Sequence, residues 1–212
     1  MGLYHCTKYD ALKSILSGKE FWPSYCLERA SFMPEYTEGA YAVVCFADLL
    51  RNEVGRHMKS FNSDSYIVMN KQWAVKNYIS PVTYYVNNSI PSATFKAWLT
   101  RLAKENKSIF CRKKRHHSLL YNATNMFVPF MKQYEGEYYN KNIDNFSCET
   151  RTFYLEREWR WCPFVHDGEA YYLTKEMYLD KDKRNRELER LRKKYTFQFK
   201  WGKNAFSKMG GL

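Results

Sequence analysis

FYLEREWRWC, residues 153–162, sets two glutamates and two arginines tightly among bulky aromatics. Read with strand periodicity, alternate side chains point to opposite faces. Phe153, Leu155, Arg157, Trp159 and Trp161 then share one face, and Tyr154, Glu156, Glu158, Arg160 and Cys162 share the other. The first is a core face with Arg157 as its exception. The second is a stripe of two carboxylates and a guanidinium, successive groups roughly 6.5–7 Å apart. Such a stripe is either a solvated salt-bridge ladder, worth tenths of a kcal/mol, or the lining of a site. Both readings stay open. The apolar neighbours weigh toward a site, because charges among Trp and Tyr are partly desolvated and two close carboxylates repel unless a cation serves them.

Upstream, LYH (3–5) predicts a short strand feeding a helix over roughly 8–17. Thr7 and Asp10 resemble a capping box, Leu12, Ile15 and Leu16 lie at helical spacing, and Gly18 stands where a C′ glycine belongs. Residues 28–39 (ERASFMPEYTEG) read as loop, and AYAVVCFADLL (40–50) begins as a strand buried on both faces, followed by a helix carrying His57. SYIVMN (65–70) and SPVTYYV (80–86) predict strands around a short helix at KQWAVKNY. A helix over 92–107 starts on Ser92 and gathers Phe95, Trp98, Leu99 and Leu102 for packing. MFVPFMKQYEG (126–136) is extended and broken by Pro129. A turn at Asp167-Gly168 would join 153–162 and 170–173 as a hairpin, and YTFQFKW (195–201) alternates as a last strand. Irregular interspersion of helices and strands is α+β rather than alternating β-α units. The chain reads as a single domain over 1–212, with a helical and basic insert at about 90–150 and a charged helix at about 176–195.

With 212 residues, 45% of them hydrophobic and 18% aromatic, the chain has ample material for a packed core, and the aromatics favour sheet. No apolar run approaches the ~18–20 residues of a membrane helix, and MGLYHCTKYD is not a secretory leader. The expected location is therefore the cytoplasm, with no membrane partner. Six scattered cysteines without a C-x-x-C pair read as reduced thiols, and no His spacing accompanies them, so no metal site is expected. The net charge of +12 favours polyanionic partners. Its basic residues concentrate in CRKKRHH (111–117) and KDKRNRELERLRKK (181–194). A solvated helix face explains either cluster alone; together they point toward a nucleic acid, DNA or RNA, or a nucleotide phosphate as partner.

No P-loop, dinucleotide fingerprint, G-x-S-x-G or H-E-x-x-H is present. What remains is His5 at the end of the first strand and the Glu156/Glu158/Arg160 stripe far downstream. LYHCTKYDALKSILSGKEFWPSYCLE, VVCFADLL with a downstream His, YIVMNKQWAVKNYISPVTYYV and FYLEREWRW together resemble the AbiGi-type abortive phage-resistance family over about residues 3–175. The closing GKNAFSKMGGL departs from the apolar last strand such domains would have. More distantly the pattern resembles the ADP-ribosyltransferase superfamily, including DarT-like toxins, whose fold is a split β-sandwich with peripheral helices holding NAD in a cleft.

That resemblance implies a set of roles. Glu158 would be the catalytic glutamate, stabilising an oxocarbenium-like transition state, and Glu156 would activate the acceptor. His5, with Thr7 beside it, would contact NAD; Tyr25, Phe46 or His57 would stack on or orient the nicotinamide, and Arg160 would meet a phosphate or pair with a carboxylate. The implied function is transfer of ADP-ribose from NAD to a nucleic acid or protein acceptor in a phage-defence or toxin–antitoxin system. The alternative is a non-catalytic antitoxin-like or regulatory partner that binds nucleic acid or a cognate toxin through its basic surface. Sequence leaves catalysis itself open.

Overall fold

A computed structural model describes residues 2–29, 38–106, 127–140, 145–163, 172–194, 197–198 and 206–211. The basic cluster at 111–117 and the Asp167-Gly168 turn lie outside these residues. The chain forms a curled, largely antiparallel sheet with helices on its faces. Strand β1 (Gly2–Thr7) leads to α1 (Tyr9–Gly18), β2 (Glu20–Phe21), β3 (Ser24–Arg29) and the long β4 (Glu38–Ala47). Next come α2 (Val54–Ser60), β5 (Ser65–Asn70), α3 (Lys71–Lys76), β6 (Ser80–Pro81), β7 (Thr83–Tyr85) and α4 (Ile90–Asn106). The second half contributes β8 (Met131–Gln133), β9 (Glu135–Asn140), β10 (Asn145–Thr152), β11 (Glu158–Trp161) and β12 (Tyr172–Thr174). Helices α5 (Lys175–Leu179) and α6 (Lys181–Lys194) and strands β13 (Phe197–Gln198) and β14 (Phe206–Gly211) complete it.

The main sheet runs β14-β5-β1-β4-β11-β6, with β3 and β12 joining β4. The sheet turns on β4, buried on both faces as its apolar run predicts. Ala40 and Ala42 pack with Leu173, Tyr178 and Leu191 beneath α5 and α6. Beyond them Val44 and Phe46 join Leu3, Leu12, Ile67 and Ala74 beneath α1 and α3. On the other face Tyr41 and Val43 meet Leu99 of α4. At Gly39 the strand passes under Tyr172, and an added Cβ would fall 2.1 Å from that ring, so only glycine fits this register.

Helix boundaries follow tertiary partners more than local motifs. Asp64 Oδ1 accepts from the Tyr9 N–H at 2.7 Å at the start of α1, where no Thr7/Asp10 capping box forms. The same helix ends one residue later than the glycine signal: Lys19, at φ 54°, takes the left-handed position. Local signals hold elsewhere, since Asn70 caps α3 through Gln72 and Trp73, and Thr174 caps α5 through Met177. α4 begins at Ile90, ahead of the expected Ser92.

Several strand expectations need correction. Residues 153–162 are not one strand: Phe153–Glu156 form a 3-10 turn, Arg157 is left-handed at φ 42°, and only Glu158–Trp161 extends. The hairpin with 170–173 does not form, because β11 and β12 each pair with β4. Residues 80–86 split into β6 against β11 and β7 in a parallel pair with β8. The supposed loop 28–39 begins inside β3, which reaches Arg29. Of the strand expected over 195–201, the described part is Phe197–Gln198 on β2, and GKNAFSKMGGL supplies β14 on the edge of β5.

Candidate functional site

β11 pairs with β4 in the register Glu158–Ala47, Trp159–Phe46, Arg160–Cys45 and Trp161–Val44. This pairing sends Trp159 and Trp161 to the α1/α3 face and Glu158 and Arg160 to the opposite one. The two-faced reading therefore holds for Glu158–Trp161 alone: Leu155, expected on the core face, is 60% exposed, and the Phe153 ring lies against Lys132 of the charge cluster. The 3-10 turn and the left-handed Arg157 change direction just before β11, yet Glu156 remains beside Glu158. Arg157 itself points away, donating from Nε to the Asp48 carbonyl at 2.5 Å and pairing with Glu53.

Arg160 is 1% exposed, and all five of its N–H donors are used. Nε and Nη2 donate to Glu158 at 2.8 and 3.0 Å. Nη1 donates to Glu28 at 2.9 Å and to the Pro129 carbonyl at 2.6 Å, and Nη2 also reaches Glu28. Lys132 Nζ, from β8, lies 2.7 Å from both Glu156 and Glu158, 3.8 Å from Glu28 and 4.8 Å from the Phe153 ring centroid. Arg151 approaches Glu156 at 3.9 Å. The backbone N–H of Glu158 donates to the Tyr84 hydroxyl at 2.8 Å. Three carboxylates, two buried cations and the half-buried Arg151 thus close on one another.

Electrostatics separates the two downstream carboxyls. Burial alone would raise Glu158, but Arg160 and then Lys132 outweigh it and hold the carboxyl well below the usual range. Glu156 moves the other way: burial raises it, Lys132 offsets only part, and the charge of Glu158 adds to the rise. Burial by itself would lower Lys132, yet Glu156, Glu158 and Glu28 keep its ammonium firmly protonated.

This cluster floors a cleft of about 1060 Å³, and His5, Thr7, Tyr25, Phe46, His57, Glu156 and Glu158 all line it. Arg160 does not line it; it lies behind the carboxylates, where it braces Glu158 and is out of reach of a phosphate. His5 Nδ1 is 2.8 Å from the Cys45 carbonyl, which can only accept, so Nδ1 carries the proton. Its ring is wedged against Phe21 and Phe46 at 5.0 and 5.4 Å, and burial lowers its pKa. His57 packs on Phe61 at 4.6 Å, and burial pushes its pKa down to about 4, leaving the imidazole neutral at pH 7.

Sequence reasoning missed Lys132, Glu28 and Tyr84. Lys132 falls in the stretch read as a basic insert, and Glu28 in the stretch read as loop. The available signal for Lys132 was a lone charge between Met131 and the buried Gln133, in a strand following Pro129.

Fold and site together define an α+β domain whose open cleft rests on an internally neutralised charge cluster. The chain belongs to the AbiGi family of abortive phage resistance: residues 19–205 match the family described as "Putative abortive phage resistance protein AbiGi, antitoxin". It is similar to the abortive phage resistance protein AbiGi of Lactococcus lactis subsp. cremoris, at 22% identity over 140 residues. That match covers 62% of this chain and 54% of the relative, so the chain spans about half the length of the curated protein. No solved structure matches. Among the described residues no helix is long and apolar enough to cross a membrane.

Proposed function

We propose that this chain is a non-catalytic, antitoxin-like component of a phage-defence pair, acting by docking on a protein toxin. The observation carrying this reading is the closure of the charge cluster. Glu158 already receives Arg160 and Lys132, and every Arg160 donor is taken. An electrostatic catalyst presents its charge to the reacting group; here the charge is spent on neighbours, where removing one partner would strand buried charge. The cluster instead pins the 3-10 turn. Glu156 is held inward, while Tyr154 and Leu155 point outward, 48% and 60% exposed. Tyr154 stacks on Tyr134 at 5.3 Å and meets Tyr84 edge-on at 5.4 Å. Rigid tyrosines on a fixed backbone make good contact anchors for a protein.

Coexpression with the cognate toxin tests this. Tyr154→Ala combined with Leu155→Asp should abolish copurification and growth rescue, while stability falls by no more than the two lost ring contacts account for, about 1–3 kcal/mol. Copurification as strong as wild type would sink the docking surface.

A second reading, ADP-ribosyl transfer from NAD, draws support from the size of the cleft and from environments that drive Glu156 and Glu158 apart. As the residues stand they offer a ribose no free carboxylate at Glu158, and this reading demands that Lys132 withdraw. Labelled NAD with DNA, RNA and lysate discriminates: the non-catalytic reading expects no transfer. Transfer by wild type that Glu158→Gln loses would overturn it.

A further inference from the structure

We infer that α6 and Trp22 form a binding surface for single-stranded nucleic acid. In α6 lysines and arginines outnumber acids, and only Leu191, fully buried, and Leu188 anchor it to the core. Arg186, Arg190 and Lys193 follow at spacings of four and three, so they share one face over about 10 Å of helix. All three are exposed. Arg190 shares Glu187 at 2.9 Å, whereas Arg186 and Lys193 form no ion pair among the described residues.

The rail does not run out into solvent alone. Arg192, about 100° round the helix from Lys193 and toward the core side, lies over the Trp22 ring at 5.5 Å, and its buried Nε has no hydrogen-bond partner. Trp22 is 37% exposed and, with Arg192, lines the large cleft. β13 pairs with β2, which ties the end of α6 to the strand just before Trp22. A solvated helix face accounts for the basic row but gives no reason for an indole left open beside it. An acidic protein would use the row and has no need of a stacking ring, and a duplex hides its base faces. A single strand uses both: phosphates along the rail and a base on the indole–guanidinium platform. These residues are separate from the tyrosine surface, so either proposal can fail alone.

Fluorescence anisotropy of the full chain with a labelled 15-nucleotide strand, a 15-base-pair duplex and polyglutamate, over a salt series, tests the inference. The single strand should bind most tightly. Arg186→Gln with Lys193→Gln should reduce the slope of log K against log salt by about 0.7 for each lost phosphate contact. Trp22→Leu should weaken the single strand about 5- to 100-fold and leave that slope unchanged, with Trp22→Phe restoring most of the affinity. Equal binding of duplex or polyglutamate, no binding of the strand at low salt, or an unchanged affinity in either altered protein would overturn it. So would a failure of Trp22→Phe to rescue.

Discussion

The stretch 156–160 and the helix α6 are built from the same side chains and use them in opposite ways. In the first, Glu156, Glu158 and Arg160 are under 10% exposed and each is held by a partner from a distant element. In the second, Arg186, Arg190 and Lys193 face water, and the ion pairs are local, such as Lys183–Asp180 at 3.0 Å and Arg190–Glu187 at 2.9 Å. Desolvation decides the difference. A buried ion has no water to fall back on, so losing its partner exposes the whole cost of burial. An exposed ion trades its partner for solvent at almost no cost. Charge therefore specifies structure in one region and supplies a field in the other.

The sharpest way to break that contrast is to remove one charge from each region. Arg160→Met leaves Glu28 and Glu158 without their guanidinium and should cost about 3–5 kcal/mol in urea unfolding; Arg186→Gln should stay within about 0.5 kcal/mol. Similar costs at the two positions would erase the distinction. Lys132→Met comes next, at about 3 kcal/mol near neutral pH. Its cost should shrink in acid, as Glu156 and Glu158 become protonated and cease to repel, and a pH-independent deficit would show that the ammonium acts only as filler. Tyr84→Phe removes the acceptor for the Glu158 N–H and should cost about 1–2 kcal/mol.

The smallest effect is in the pH profile. His57 titrates near 4 in the folded chain against about 6.5 unfolded, so the unfolded state binds more protons between those values. Stability contributed by the neutral ring is complete above about 6.5 and lost as pH falls toward 4. His57→Gln should flatten the melting temperature over that interval only in part, because the lowered His5 contributes to the same window. Below about 4.3 the loss should steepen, since Glu158 is depressed and its stabilisation disappears as it takes up a proton. A profile indifferent to His57→Gln would show that the ring is as hydrated folded as unfolded.

What was legible in the sequence was set by local periodicity. The continuous apolar run of β4 announced a strand buried on both sides, and the alternation in EWRW separated tryptophans from charges. The grouping of Glu156 with Glu158 was also legible, although for a reason that did not hold: a left-handed Arg157, not strand pleating, brings the two together. The cations that neutralise them were hidden because no local rule links Lys132 to Glu156, 24 positions away, or Glu28 to Arg160, 132 positions away. Asp64 capping α1 from 55 positions away was hidden in the same way. Long-range pairing is chosen by the assembled sheet, and periodicity carries no trace of it.

The dependence of β4 on so many partners has a consequence for how the chain leaves the ribosome. β3 is made before it, but β11 and β12 follow more than a hundred residues later. Until then, Val44 to Ala47 present an apolar strand with an open edge, the kind of template that recruits other chains. The nascent protein should be most in need of chaperone cover during synthesis of its middle third. Fragments ending before Glu158 should aggregate, whereas the finished chain closes that edge with its charge cluster.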